Sequence, residues 1–155
     1  MNQSNSPGIV VVDASVIVSI VSKETSTHVA TEEILNRYTI DGAEFFAPNV
    51  VISEVLFALC QKAANGILSE AGHQKAVNAF QDILAGISLA NDEAGLISRA
   101  IEIRASYGCS RSSDSLYIAL AERLAGNNSV EIFTLDAGMT NQAAKNAPSV
   151  VVRSI

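Results

Sequence analysis

A chain of 155 residues, 48% of them apolar, is near the usual size of one domain and long enough to bury a core without disulfide or metal staples. Ten Lys and Arg stand against sixteen Asp and Glu, and the formal charge of −6 weighs against broad electrostatic binding of nucleic acid. That objection lifts if several carboxylates hold cations, which reverse the local field; a basic partner protein is another use for the excess charge.

The longest apolar run, residues 9–21, carries Asp13 and falls short of the roughly twenty residues needed to cross a bilayer. Residues 1–7 lack the basic start of a signal peptide. The expectation is a soluble cytoplasmic protein, not a membrane one, with a loose tail over residues 1–7 and a single domain over residues 8–155. Cys60 and Cys109 fall in apolar helical patterns without CxxC or Cys/His spacing, so both are expected as buried free thiols in a reducing compartment.

Gly8-Ile-Val-Val-Val12 is a β-branched run too short for a helix and apolar on both faces, as a central parallel strand would be, and it ends at Asp13. Residues 15–22 read as a short helix and residues 26–38 as a second, entered through Ser and Thr. Phe45-Phe46-Ala47 is a brief strand candidate. Pro48 suits a helix first turn, and that helix carries Ile52, Val55, Leu56, Leu59 and Cys60 towards Gly66, with Glu54 riding on it. Residues 69–85 and 91–107 predict two more helices, stopped at Gly86 and Gly108. Residues 113–124 predict a helix with Leu116, Tyr117, Leu120 and Leu124 on one side. Residues 130–135 form a strand ending at Asp136; a short helix over 141–145 and a strand over 150–153 close the chain. Strands alternating with helices, with no hairpin signal, call for an α/β fold of three layers: a central parallel sheet flanked by helices.

In open parallel sheets ligands bind beyond the carboxyl ends of the strands, and Asp13 and Asp136 both follow strand runs directly. Asp114 opens a helix after a Cys-Ser-Arg-Ser-Ser loop, and Glu54 interrupts an apolar stretch. A carboxylate among apolar neighbours costs several kcal/mol unless paired or bound to a cation, and basic residues are scarce beside all four. Oxygen-only ligation without His or Cys selects a hard ion, Mg²⁺ or Mn²⁺, and the expected chemistry is phosphodiester hydrolysis. Each acid taken alone has a plainer use: Asp13, Asp114 and Asp136 as helix caps or first-turn residues, Glu54 in a buried hydrogen bond.

With these residues in place the sequence resembles the PIN-domain ribonucleases, most closely the VapC-like toxin half of bacterial toxin–antitoxin pairs. The likeness spans nearly the whole chain, through Val-Val-Asp13-Ala-Ser15, Ile52-Ser-Glu54-Val, Ser113-Asp114-Ser-Leu-Tyr-Ile-Ala-Leu-Ala-Glu122 and Thr134-Leu-Asp136. It implies a metal-dependent ribonuclease in which Asp13, Glu54, Asp114 and Asp136 are catalytic and metal-binding, with Ser15 and Thr134 orienting ligands or water from behind. It also implies an RNA substrate, an antitoxin laid across the cleft, and a homodimer. The helix Val16-Ile-Val-Ser-Ile-Val21, apolar nearly all round, is either covered by such a partner or buried within the chain. Ser15 and Thr134 have the alternative of ordinary turn and strand hydrogen bonds. Arg111 either contacts a substrate phosphate or is a surface arginine. After Asp136 comes Ala-Gly-Met139, without the further acid or basic-aromatic pair often found there in the family, which bears on a second metal position.

His28 and His73 have no partner at ligand spacing and are set aside as surface or packing residues. Tyr117 reads as core rather than as a base-stacking platform, and Glu122 as a solvated helix face. An aspartyl phosphotransfer domain also begins with a strand ending in Asp, but the dehalogenase pattern wants a second Asp where this chain has Ser15, and a receiver domain wants an acidic pair after the first strand. The alternative of a different class is an inactive binding module that holds a basic partner on its acidic rim.

Overall fold

The computed structural model describes residues 6–23, 26–109 and 112–155. Strand β1 (Ile9–Val12) is buried at every position. A strand apolar on both faces needs a neighbour along each edge and helices above and below. It has the neighbours: β2 (Glu44–Ala47) pairs with it in parallel on one side and β4 (Val130–Thr134) on the other. Strands β3 (Ile87–Leu89) and β5 (Val151–Ser154) extend the sheet to the order β3-β2-β1-β4-β5, every pairing parallel. Both outer strands are more exposed than β1, as edges are.

The chain steps outward from β1 to β2 to β3, then crosses to the far side of β1 for β4 and β5. Right-handed crossovers turn that reversal into two helical layers. One holds α1 (Ala14–Ser22), α2 (His28–Ile40), α3 (Val50–Ala64) and α4 (Glu70–Leu84), with α1 packed against the other three. The other holds α5 (Ile97–Arg104), α6 (Ser112–Leu124) and α7 (Ala137–Asn146), which pack on one another. The expected α/β/α architecture is what the chain adopts. Val10, Val11, Ile132 and Phe133 lie at its centre, fully buried, each contributing roughly 1.5–3 kcal/mol by leaving water.

Helix α1 is covered by the chain itself: Val16 and Ile17 are fully buried, and Val18 and Ile20 pack partly buried against the core. Part of its apolar circumference is therefore covered within the protein, while Val18 and Ile20 stay partly open. Helix α3 ends at Ala64, close to the expected Gly66, whose φ of 71° lies in the left-handed region, while Pro48 precedes the Asn49 cap rather than entering the first turn.

Several expectations are corrected. Strand β3 was not anticipated, because its three residues between a helix end and an Asn-Asp turn are too short to show a period. The helix expected over residues 91–107 is divided. Asp92 accepts the Gly95 N–H at 3.1 Å and sets a tight turn over Ala94–Leu96, and regular helix begins only at Ile97. Helix α7 starts at Ala137, four residues before its expected start, because Asp136 caps it. Both cysteines are exposed rather than buried, and they form no disulfide. Cys60 follows the fully buried Leu59 and is turned about 100° around α3 from it, onto the outer face; Cys109 follows the positive-φ Gly108 beyond α5. Glu122 stays partly exposed on its helix face, but it is also paired: it accepts two hydrogen bonds from Arg99, at 2.7 and 2.9 Å.

Candidate active site

The reversal of strand order falls between β1 and β4, so the connections leaving these two strands part to opposite faces and open a crevice at their carboxyl ends. The register pairs Val12 with Phe133, and the Asp13 N–H continues the ladder to the Phe133 carbonyl at 3.0 Å. The next rung sets Asp13 beside Thr134. Their side chains lie on the same side of the sheet, because facing residues of paired strands share a face.

Asp13 is 6% exposed. Its Oδ2 accepts from Ser15 Oγ at 2.5 Å and from Thr134 Oγ1 at 2.8 Å. Each hydroxyl is oriented from behind by the loop after β4: Leu135 N–H donates to Ser15 Oγ at 3.0 Å, and Asp136 N–H donates to Thr134 Oγ1 at 2.9 Å. A hydroxyl that accepts a backbone N–H points its own proton elsewhere, and here both protons go to one carboxylate oxygen. Burial pushes the Asp13 carboxyl above its ordinary range, the hydroxyls and the Ser15 backbone pull it back, and the Glu54 carboxylate pushes it up again. None of these neighbours is a cation. Although Asp13 stands at the N-terminus of α1, its side chain makes no capping bond.

Glu54, half-buried on α3, is close enough to act electrostatically on Asp13. It accepts a hydrogen bond at 2.6 Å from the hydroxyl of Tyr117, a fully buried residue of α6. Burial above all, then the carboxylates of Asp13 and Glu54, drive the Tyr117 phenol far above its ordinary value, so it stays a donor. Asp114 lies three residues earlier, in the first turn of the same helix, and so on the same side as Tyr117. Asp136 spends one oxygen on its helix, accepting Gly138 N–H at 2.7 Å, which is the capping use open to it from sequence.

The fold thus sets Asp13 against Glu54, links Asp13 through Ser15 and Thr134 to the Asp136 loop, and brings Asp114 one helical turn from Tyr117. Among the described residues no three His, Cys, Asp or Glu side chains come together closely enough to hold a metal ion. Arg111 lies outside the described residues. A cleft of about 250 Å³ opens beside Glu54, lined also by Ser15, Ser19, Ala58, Lys62 and Leu135. Tyr117 is the site residue that sequence reasoning missed. Its place on an apolar stripe hid it, while its spacing of three from Asp114 was the available signal.

A doubly wound parallel sheet with carboxylates at its switch point defines a class of α/β proteins with a site at the strand ends. Within that class, the PIN-domain family model matches residues 10–145, and the chain belongs to the PIN-domain family, whose members are nucleases. Among curated proteins none matches the sequence. Solved structures with the same fold include VapC20 of Mycobacterium tuberculosis, described as a sarcin-ricin loop cleaving toxin (17% identity, TM-score 0.62, covering 85% of this chain and 93% of that one). VapBC2 of Rickettsia felis, bound to a DNA fragment from its promoter, matches at 13% identity and TM-score 0.58 over 95% and 98% of the two chains. FitAcB of Neisseria gonorrhoeae matches at 15% identity and TM-score 0.54 over 92% and 95%. No helix among the described residues is long and apolar enough to cross a membrane.

Proposed function

We propose that this protein is a metal-dependent ribonuclease that hydrolyses RNA phosphodiester bonds, and that it serves as the toxin of a toxin–antitoxin pair. The observation that carries the reading is Asp13: a buried carboxylate at the switch-point crevice, with another carboxylate beside it and only neutral donors around it. Such a group is incomplete without a cation. The donor set is oxygen throughout, which fits Mg²⁺ or Mn²⁺. Asp13 and Glu54 would hold the ion; Asp114 and Asp136, which do not cluster with them in this structure, would be drawn in as the remaining carboxylates or reach it through water. When bound, the ion supplies activation of water and stabilisation of charge on the phosphate oxygens.

The chain's own residues do the positioning. Ser15 and Thr134 fix one oxygen of Asp13, Asp136 is anchored by its bond to Gly138 N–H, and Tyr117 holds Glu54. The cleft beside Ser15 and Glu54 gives an RNA strand its approach, and Lys62 on its wall is a cation of the kind that meets a phosphate. An antitoxin fits a larger apolar cleft of about 500 Å³ lined by Ile17, Ile20, Leu35, Phe45, Ile83 and Ile87. Exposed Leu56 and Phe57 on α3 and Ile97 and Ile101 on α5 offer apolar surface for a second copy of the chain.

The test is to incubate the purified, metal-stripped protein with total bacterial RNA, with Mn²⁺ or Mg²⁺ restored, beside an Asp114→Asn variant with a native circular dichroism spectrum. Cleavage that requires the metal and is lost by about a hundredfold or more in the variant is expected. Cleavage by the variant at the parent rate would remove Asp114 from the chemistry. No Mn²⁺ binding and no cleavage by the parent would leave the inactive binding module as the better reading.

A further inference from the structure

The hydrogen bond from Tyr117 to Glu54 joins the two helical layers. Glu54 belongs to α3 on one face of the sheet and Tyr117 to α6 on the other, and they meet over the carboxyl end of β1. The backbone of Ala14, the residue after Asp13, lies near enough to act on the same phenol. One phenol is therefore bonded to Glu54 on α3 and stands near the strand end that carries Asp13. Its ring is fully buried among core residues, and a ring so enclosed has no freedom to swing away.

A glutamate on a helix has three side-chain torsions. Unless something fixes them, ordering it around a cation costs conformational entropy at the moment of binding. Asp13 is fixed by two hydroxyls; Glu54 has Tyr117 in that place. From this geometry we infer that Tyr117 is a positioning residue of the metal site: it sets the Glu54 carboxylate at a fixed place and angle relative to Asp13, so that the cation meets a pre-formed pair. The inference rests on the metal-dependent reading above, and it deepens that reading rather than replacing it.

Calorimetric titration of Mn²⁺ into metal-stripped parent, Tyr117→Phe, Glu54→Gln and the double variant separates the two. Tyr117→Phe keeps the ring and removes only the hydroxyl, and about a tenfold loss of Mn²⁺ affinity is expected, with the fold intact. In the Glu54→Gln background the same change should cost little more, because the group it positions is already altered. Parental affinity in Tyr117→Phe would overturn the inference and leave the ribonuclease reading standing, as would an equal loss in both backgrounds, which marks a merely structural tyrosine. Failure of the parent to bind Mn²⁺ would remove both.

A second measurement needs no Tyr117 variant. The chain has three tyrosines and no tryptophan, so its near-ultraviolet absorption is dominated by tyrosine. Added Mg²⁺ should draw on Glu54, weaken its acceptance from Tyr117 and produce a tyrosine difference spectrum that Glu54→Gln abolishes. A flat spectrum on saturation with Mg²⁺ would count against the inference.

Discussion

Glu122 and Asp13 are both drawn out of full solvent, and the fold treats them in opposite ways. Arg99 gives Glu122 a forked pair of bonds from Nε and Nη2, and the same guanidinium reaches the Asn146 carbonyl at 3.1 Å and Glu102 at 3.0 Å. It ties α5, α6 and α7 together and holds the Glu122 carboxyl below its ordinary range. Asp13 is the more buried of the two, yet it receives bonds only from two hydroxyls and has another acid beside it, and its carboxyl is pushed up. A charge that serves the fold finds its counter-ion in the chain. Asp13 has no counter-ion among its neighbours, and on the reading proposed above it takes one from outside.

The comparison breaks most sharply at Asp13. In Asp13→Asn the amide oxygen can still accept from Ser15 and Thr134, while a buried charge disappears. The metal-free variant should melt at or above the parent temperature, and Mn²⁺ binding and RNA cleavage should fall by about a hundredfold or more. A variant that melted well below the parent would make Asp13 a structural acid and erase the contrast with Glu122.

A neutral group sharpens the same comparison at smaller magnitude. Gln142 on α7 is fully buried, and neither side-chain amide atom has a hydrogen-bond partner among the described residues. Substitution by methionine, of similar length, removes two unmet polar groups and should raise stability by about 1–2 kcal/mol in a denaturant titration, with Mn²⁺ affinity unchanged. A loss of stability would instead show that a bridging water satisfies the amide.

The parallel sheet and the strand-end placement of Asp13 and Asp136 were legible because continuous β-branched runs followed directly by an acid carry their meaning locally. The switch point was not, since strand order depends on which distant segments pair, and the short β3 leaves no period to read. Tyr117 and Glu122 show the limit most plainly. Each lies on α6, and the pattern of that helix alone does not reveal its partner. Each is defined by a residue of another element, Glu54 at 63 positions' distance and Arg99 at 23. An apolar stripe reports that a side chain faces inward, but it does not report what its polar end meets there.

The smallest effect tests the other half of the contrast. Arg99 and Glu122 are partly exposed, so solvent screens their attraction and Glu122→Gln should cost about 1 kcal/mol, a drop of about 2–4 °C in melting temperature. Because the folded carboxyl lies below its unfolded value of about 4.3, the stability it contributes is fully present above that value and is lost as pH falls through the folded one. Melting curves of parent and Glu122→Gln, followed from about pH 7 to about pH 3, should therefore stay apart at neutral pH and converge at the acid end. RNA cleavage at neutral pH should be the same in both. If the two proteins melted together throughout, the forked pair would add no net stability, and having a counter-ion within the chain would no longer distinguish Glu122 energetically from Asp13.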